Sequence, residues 1–304
     1  MIRTVTGDLA TIDGPILAHE HLQIDLCCQK GPEVVLGEAE QAEVASDLGK
    51  AMQQGLKAVV DLSVLGSGRN VGGLKKISLH AGLPVICAAG FYWDPLPQLV
   101  FDASVEVLRD ILIHEVNVGI DGSAMRAGVI KVGTDREPIG ADAARVFEAA
   151  ALAALATGAS VVTHTSTVNQ AYWHIETLQR FGLAPNRILI SHMGAAKDVA
   201  QLIDIGRSGV FMGIDKVGFI ARRSNAELAD LVSDACNAGL ENQLILSSDV
   251  ARKDRLLHRG GSSYSAVFID FFPLLRERGV SEQQIATMMC QNPQKILCLA
   301  HPIN

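Results

Sequence analysis

The sequence has no Cys-x-x-Cys pair, no run of about 18 apolar residues, no early Gly-rich phosphate turn and no excess of positive charge. Each absence excludes a class of protein. The six cysteines, Cys27, Cys28, Cys87, Cys236, Cys290 and Cys298, lie scattered in a chain large enough to fold without staples, so they read as reduced structural thiols. Cys27 and Cys28 are adjacent, and sequence neighbours rarely bridge each other. The N-terminal segment MIRTVTGDLATIDG has no basic stretch leading into an apolar one. The expectation is a soluble, unexported, cytoplasmic protein without membrane contact. Lys plus Arg number 26 against 33 Asp plus Glu, a net charge of −7, the wrong sign for a surface that follows phosphate backbones. A nucleic-acid partner is not expected on that ground. No Pro/Ser linker, fixed repeat or low-complexity tract divides residues 1–304, which read as one domain.

What is present is core-forming material, 48% apolar residues, which excludes intrinsic disorder. Eight short β-branched runs recur at 15–22, 58–63, 84–90, 128–133, 160–166, 187–194, 210–215 and 244–250. Segments of helical spacing follow them, such as those starting at Glu38 and Ala141. Gly55, Gly82, Gly158 and Gly239 fall just past such segments, where a left-handed cap is wanted. Near-continuous apolar strands alternating with helices predict a parallel sheet covered on both faces. Eight units in about 250 residues predict a closed α/β fold, the (β/α)8 TIM barrel. The longer connections, 216–225 and 251–263, are expected to be substrate loops.

Polar residues interrupt these runs at their C-terminal ends, the catalytic face of such a barrel. His19 and His21 flank Glu20, and a period of two sends both imidazoles to one side. Lys131, His164, His192 and Asp249 stand near the ends of their own strands. One histidine at a strand end is usually a satisfied core or surface residue. Four histidines, an amine and a carboxylate in one mouth are another matter, because unpaired buried charge is costly. A divalent ion that takes neutral imidazoles and a carboxylate resolves the conflict. Lys131 has two readings here, an ammonium paired with Asp249, or a desolvated amine that combines with carbon dioxide into an anionic carbamate able to bridge two metals. Asp61 and Asp215 either orient ligand imidazoles or cap the helices that follow.

With these six residues the sequence resembles the phosphotriesterase family of the amidohydrolase superfamily, from LAHEHL near the N-terminus to NPQKIL at 292–297. The resemblance implies a hydrolase with two divalent ions, zinc expected, bridged by carboxylated Lys131 and a hydroxide. It makes His19, His21 and Asp249 ligands of the buried ion and His164 and His192 ligands of the exposed one. Some relatives carry Glu in place of the lysine, whereas this chain keeps Lys131. The implied chemistry has the shared hydroxide attack a polarised C=O or P=O bond while Asp249, as catalytic residue, relays the proton to the leaving group. A homodimer is implied as well.

Lys216, Arg222, Arg223, Arg252, Lys253, Arg255 and Arg259 fall in the two long loops, with Asp254 the only acid in 216–223 and 251–259. Singly they read as solvated charge. Together they predict an anionic substrate, such as a phosphorylated or carboxylated sugar lactone, clamped by Lys216, Arg222, Arg223, Arg252 or Lys253. Phe91, Tyr92 and Trp93 close the third strand in a chain with 5% aromatics. They read as core, while resemblance to the lactonase branch makes Tyr92 a substrate contact. The leading expectation is a lactonase, followed by an organophosphate or amide hydrolase with the same centre, and last by a binding barrel, which would normally have lost ligands.

Overall fold

The structure, a computed structural model, describes residues 1–219 and 223–300. An antiparallel hairpin, β1 (Ile2–Thr4) and β2 (Gly7–Leu9), precedes β3 (Ile16–Glu20). A second antiparallel ribbon, β4 (Ile24–Asp25) and β5 (Val35–Leu36), comes next. The remaining strands are β6 (Ala58–Asp61), β7 (Val85–Gly90), β8 (Val129–Gly133), β9 (Ser160–His164), β10 (Ile188–Ile190), β11 (Phe211–Ile214) and β12 (Leu244–Leu246). Strands β3 and β6 to β12 form one eight-stranded sheet in sequential order, and its neighbouring strands run parallel. Every residue of β6, β7 and β8 is buried, which is why their sequences are apolar throughout rather than alternating.

This is the (β/α)8 barrel that the eight runs predict. Its last seam, between β12 and β3, has no strand ladder among the described residues. Side chains and one backbone bond join it instead: the His19 amide donates to Ser247 Oγ at 2.9 Å, the Glu20 carboxylate accepts from the Ser248 and Val250 amides, and the Asp249 amide donates to the His19 carbonyl. Helices Gln41–Gln53, Val71–Ala81, Val105–Asn117, Ala141–Thr157, Asn169–Arg180, Val199–Gly206 and Asn225–Asn237 return the chain between strands. Asn70, Ser104, Asp198 and Ser224 cap four of them by accepting a first-turn amide. None of the described helices is long and apolar enough to cross a membrane.

Two departures from the sequence reading matter for the site. The hairpin and the β4–β5 ribbon consist of strands of two or three residues, too short for a periodic pattern. Segment 21–40, which holds the ribbon, is a third long connection on the mouth of the barrel. Gly90 marks how closely β7 and β8 approach beside Lys131. It has φ +148°, and a Cβ there would lie 2.0 Å from the Lys131 carbonyl oxygen. Gly90→Ala should therefore cost about 2–4 kcal/mol through backbone strain and clash. A thermal midpoint equal to that of the parent would show that the two strands part freely.

Candidate metal centre

The six sequence-predicted ligand residues come from the C-terminal ends of β3, β8, β9, β10 and β12, and five strand ends thus supply one mouth. His19 Nε2 and His21 Nε2 lie 3.6 and 3.5 Å from Asp249 Oδ1. Their other ring nitrogens are held from behind. His21 Nδ1 meets Ser63 Oγ at 2.8 Å, and His19 Nδ1 meets Ser191 Oγ and Asp215 Oδ2, each at 2.9 Å. His192 Nδ1 lies 2.7 Å from Asp215 Oδ1, and its Nε2 faces His164 Nδ1 at 2.8 Å. Asp215 thus grips two imidazoles at once, and the following helix is capped by Ser224 instead. Asp61 does neither of the two things expected of it. It accepts the amides of Leu22, Gln23 and Ser63, tying down the chain that follows His21. His192 and Asp249 have φ of +65° and +50°, left-handed backbone that is uncommon outside glycine.

Burial pushes His19 down to about 3 and, with the neighbouring imidazole, His164 well below its ordinary value; His192 is also lowered by burial. Neutral imidazoles result, with free lone pairs. Burial alone would raise the Asp215 carboxyl, but His192 and His19 more than reverse it and hold it far below the usual carboxylate range. An ionised carboxylate only accepts, so both Nδ1 atoms carry the protons and both Nε2 lone pairs turn inward. Asp249 is likewise ionised, because Lys216 and the histidines outweigh its burial. Two triads of ligand-type atoms cluster within 4.8 Å, His19, His21 and Asp249, and His19, His192 and Asp215. In the second the Nδ1 atoms are spent on Asp215, which marks it as the orienting set behind the first. Inward imidazole lone pairs beside an anionic carboxylate are the donor chemistry that fits a divalent ion such as zinc.

Lys131 is fully buried, and burial pushes its amine down to about 7. Its Nζ donates to the Thr163 carbonyl at 3.2 Å and makes no ion pair among the described residues. The amine that pairs with Asp249 is Lys216, whose Nζ is 2.7 Å from Oδ2. Of the two readings of Lys131, the Asp249 ion pair is absent.

Two cavities flank these residues. One, of about 210 Å³, is lined by His19, His21, His164, Asp249, Lys216 and Arg252 together with Ile24, Leu26, Val34, Leu62, Tyr92 and Trp93. The second, of about 220 Å³, includes His192, Asp215, Lys216, Phe219, Arg223 and Leu228 in its lining. Lys216 lines both. The first contains the apolar wall that the loop charges did not lead one to expect, and three of its residues come from segment 21–40. Trp93, expected as core, is partly buried and lines the first cavity. Its indole stacks on His164 at 4.5 Å between ring centroids, and Gly133 makes room for it, since a Cβ there would come within 2.5 Å of the ring.

The Phosphotriesterase family profile matches residues 1–297. The chain belongs to the phosphotriesterase family. An aryldialkylphosphatase of Saccharolobus solfataricus is 28% identical over 302 residues, covering 93% of this chain and 94% of that protein. An N-acetyltaurine hydrolase of Xenopus tropicalis is 25% identical, covering 97% and 99%. The phosphotriesterase homology protein of Escherichia coli, solved with phosphate in its active site, superimposes with a TM-score of 0.88 at 27% identity, covering 94% and 99%. A lactonase from Listeria monocytogenes shares the fold, with a TM-score of 0.92 at 23% identity and 99% of each chain covered. This chain is accordingly a phosphotriesterase-family hydrolase, and enzymes of the family use a divalent metal centre.

In this family member the basic loops are largely spoken for. Lys253 lines neither cavity, because its Nζ lies 3.1 Å from the buried carboxylate of Glu40. Its charge is thus paired with Glu40 and not free for a substrate. Arg259 lies 3.4 Å from Glu43, and the largely buried Arg255 donates to the Val217 carbonyl. Arg252 lines the first cavity while paired with Asp254 at 2.7 Å. Arg223 lines the second and donates to the Ala196 carbonyl. Arg222 lies outside the described residues. Tyr92 lines the first cavity, but its hydroxyl oxygen is buried without a hydrogen-bond partner among the described residues.

Proposed function

We propose that residues 1–304 act as one barrel domain that hydrolyses a small anionic lactone with two divalent ions, zinc foremost. The observation that carries this reading is the convergence of His19 Nε2 and His21 Nε2 on Asp249 Oδ1 beside a cavity that also holds Lys216 and Arg252. His19, His21 and Asp249 would hold one ion, His164 and His192 the other, and Lys131 as a carbamate would link them. Bound there, the ions supply Lewis acidity toward the scissile bond and make water more acidic. Asp249 accepts the proton that water loses on attack and returns it to the leaving oxygen. Lys216, 2.7 Å from Asp249 Oδ2, keeps that carboxylate turned toward the cavities and brings positive charge to both. Arg252 in the first cavity and Arg223 in the second offer guanidinium groups to an anionic substituent. A cytoplasmic homodimer acting on a small molecule completes the proposal, with sedimentation reading its mass.

A neutral ester, phosphotriester or amide is the second reading, favoured by the wall of Ile24, Leu26, Val34 and Leu62. A panel of charged and neutral lactones, a phosphotriester and an acylated amine, assayed with metal-loaded protein, separates the two. The anionic lactone should lead by about one to two orders of magnitude in kcat/KM, the worth of one charge-assisted contact. Arg252→Met should raise KM for it and leave the neutral analogue unchanged. Equal turnover of both lactones, with no effect of Arg252→Met, would move the assignment to the second reading.

A further inference from the structure

We infer that Glu20 is a positioning residue, whose single carboxylate grips the peptide on both sides of Asp249 and so aims that side chain between His19 and His21. The inference rests on the metal-centre reading above. Glu20 lies between the two histidines at the end of β3, and its carboxyl group reaches across the open seam to the chain that follows β12. There it is fully buried and lines neither cavity, so it has no access to substrate. The Ser248 amide donates to Oε1 at 2.6 Å and the Val250 amide to Oε2 at 2.9 Å. The amide between them, that of Asp249, donates to the His19 carbonyl at 3.2 Å.

Three consecutive amides of one seam edge are thus committed to two consecutive residues of the other. An ordinary ladder would not do this, because successive amides along a strand point to opposite sides. The geometry is possible because Asp249 adopts φ +50°, a conformation seldom taken by residues other than glycine. A two-oxygen acceptor reaching across from β3 satisfies both flanking amides in that bend and leaves the Asp249 carboxylate pointing into the mouth. Strand β3 therefore contributes to the centre twice, through two imidazoles and through the residue that sets the third donor.

The variant Glu20→Gln keeps the shape and replaces one acceptor oxygen with an NH₂ donor, which confronts the amide it formerly accepted. Zinc affinity, measured by chelator competition, should fall by about 10–100-fold, the usual consequence of losing a partner that orients a ligand. With cobalt in place of zinc, the visible absorption bands should shift, and kcat should fall while KM changes little. Unchanged affinity and spectrum in folded Glu20→Gln protein would overturn the inference, as would a lowered thermal midpoint of the metal-free protein with affinity intact, the mark of a purely structural seam. Should that variant fail to fold, Glu20→Asp, which keeps the carboxyl group but loses reach, is measured in the same way. Wild-type protein that takes up no divalent ion would refute the functional reading instead. Amide exchange of metal-free wild-type protein then decides the clamp, which requires slow exchange at Ser248 and Val250 and is overturned by fast exchange at either.

Discussion

Lys131→Ala should yield a folded barrel that loses its second divalent ion and at least about 100-fold in hydrolysis, and acetate or propionate with added bicarbonate should restore part of both. The amine is fully buried in a site rich in ligands, burial pushes it down to about 7, and its one hydrogen bond goes to a backbone carbonyl. Asp215 and Asp249 favour its ammonium form, but burial outweighs them and no carboxylate among the described residues pairs with it. A carbamate on the same stem would put an anion where the imidazoles of β9 and β10 face those of β3. Elemental analysis and a rescue titration check this, and a fully active Lys131→Ala enzyme would contradict the bridging role.

The second large effect is expected at Asp215. In Asp215→Asn one oxygen becomes an NH₂ group, so one of the two imidazoles must turn an acceptor toward it. That ring then carries its proton on Nε2, the atom it should offer inward. Metal affinity should drop by about 10–100-fold. Unfolding free energy should fall by about 1–3 kcal/mol as a buried donor loses its acceptor. Chelator competition and denaturant titration measure the two separately. An Asn variant that binds metal as wild type does would show that Ser191 alone fixes His19 and that His192 needs no acceptor.

The barrel strands were legible because burial on both faces writes itself into a sequence as an unbroken β-branched run, from Ile16–Glu20 through Leu244–Leu246. The ligand-type residues were legible because polar groups that end such runs need a reason to be there. Pairings across the chain were not. Lys253 reads as a free cation until Glu40, more than two hundred positions earlier, is found 3.1 Å away. Lys216 likewise reads as a loop clamp until Asp249 Oδ2 appears beside it. Ser63 and Ser191 left a faint trace, each next to or near a polar strand end, but a hydroxyl behind an imidazole has no spacing of its own. The apolar wall from Ile24 to Val34 was hidden in a segment whose two strands have two residues each.

The unladdered seam between β3 and β12 also bears on how the molecule comes together. Seven strand pairs join neighbours in the sequence, whereas the Glu20–Ser248 bond spans 228 residues. Closing so long a loop carries a large chain-entropy cost, and contacts of this range form late. The proposed ligands His19 and His21 stand on one lip of that seam and Asp249 on the other. A cation that binds only the closed ring would favour it by mass action. The nascent chain would acquire its reactive centre at the moment its two ends meet, and loss of the ion would loosen first the joint where they met.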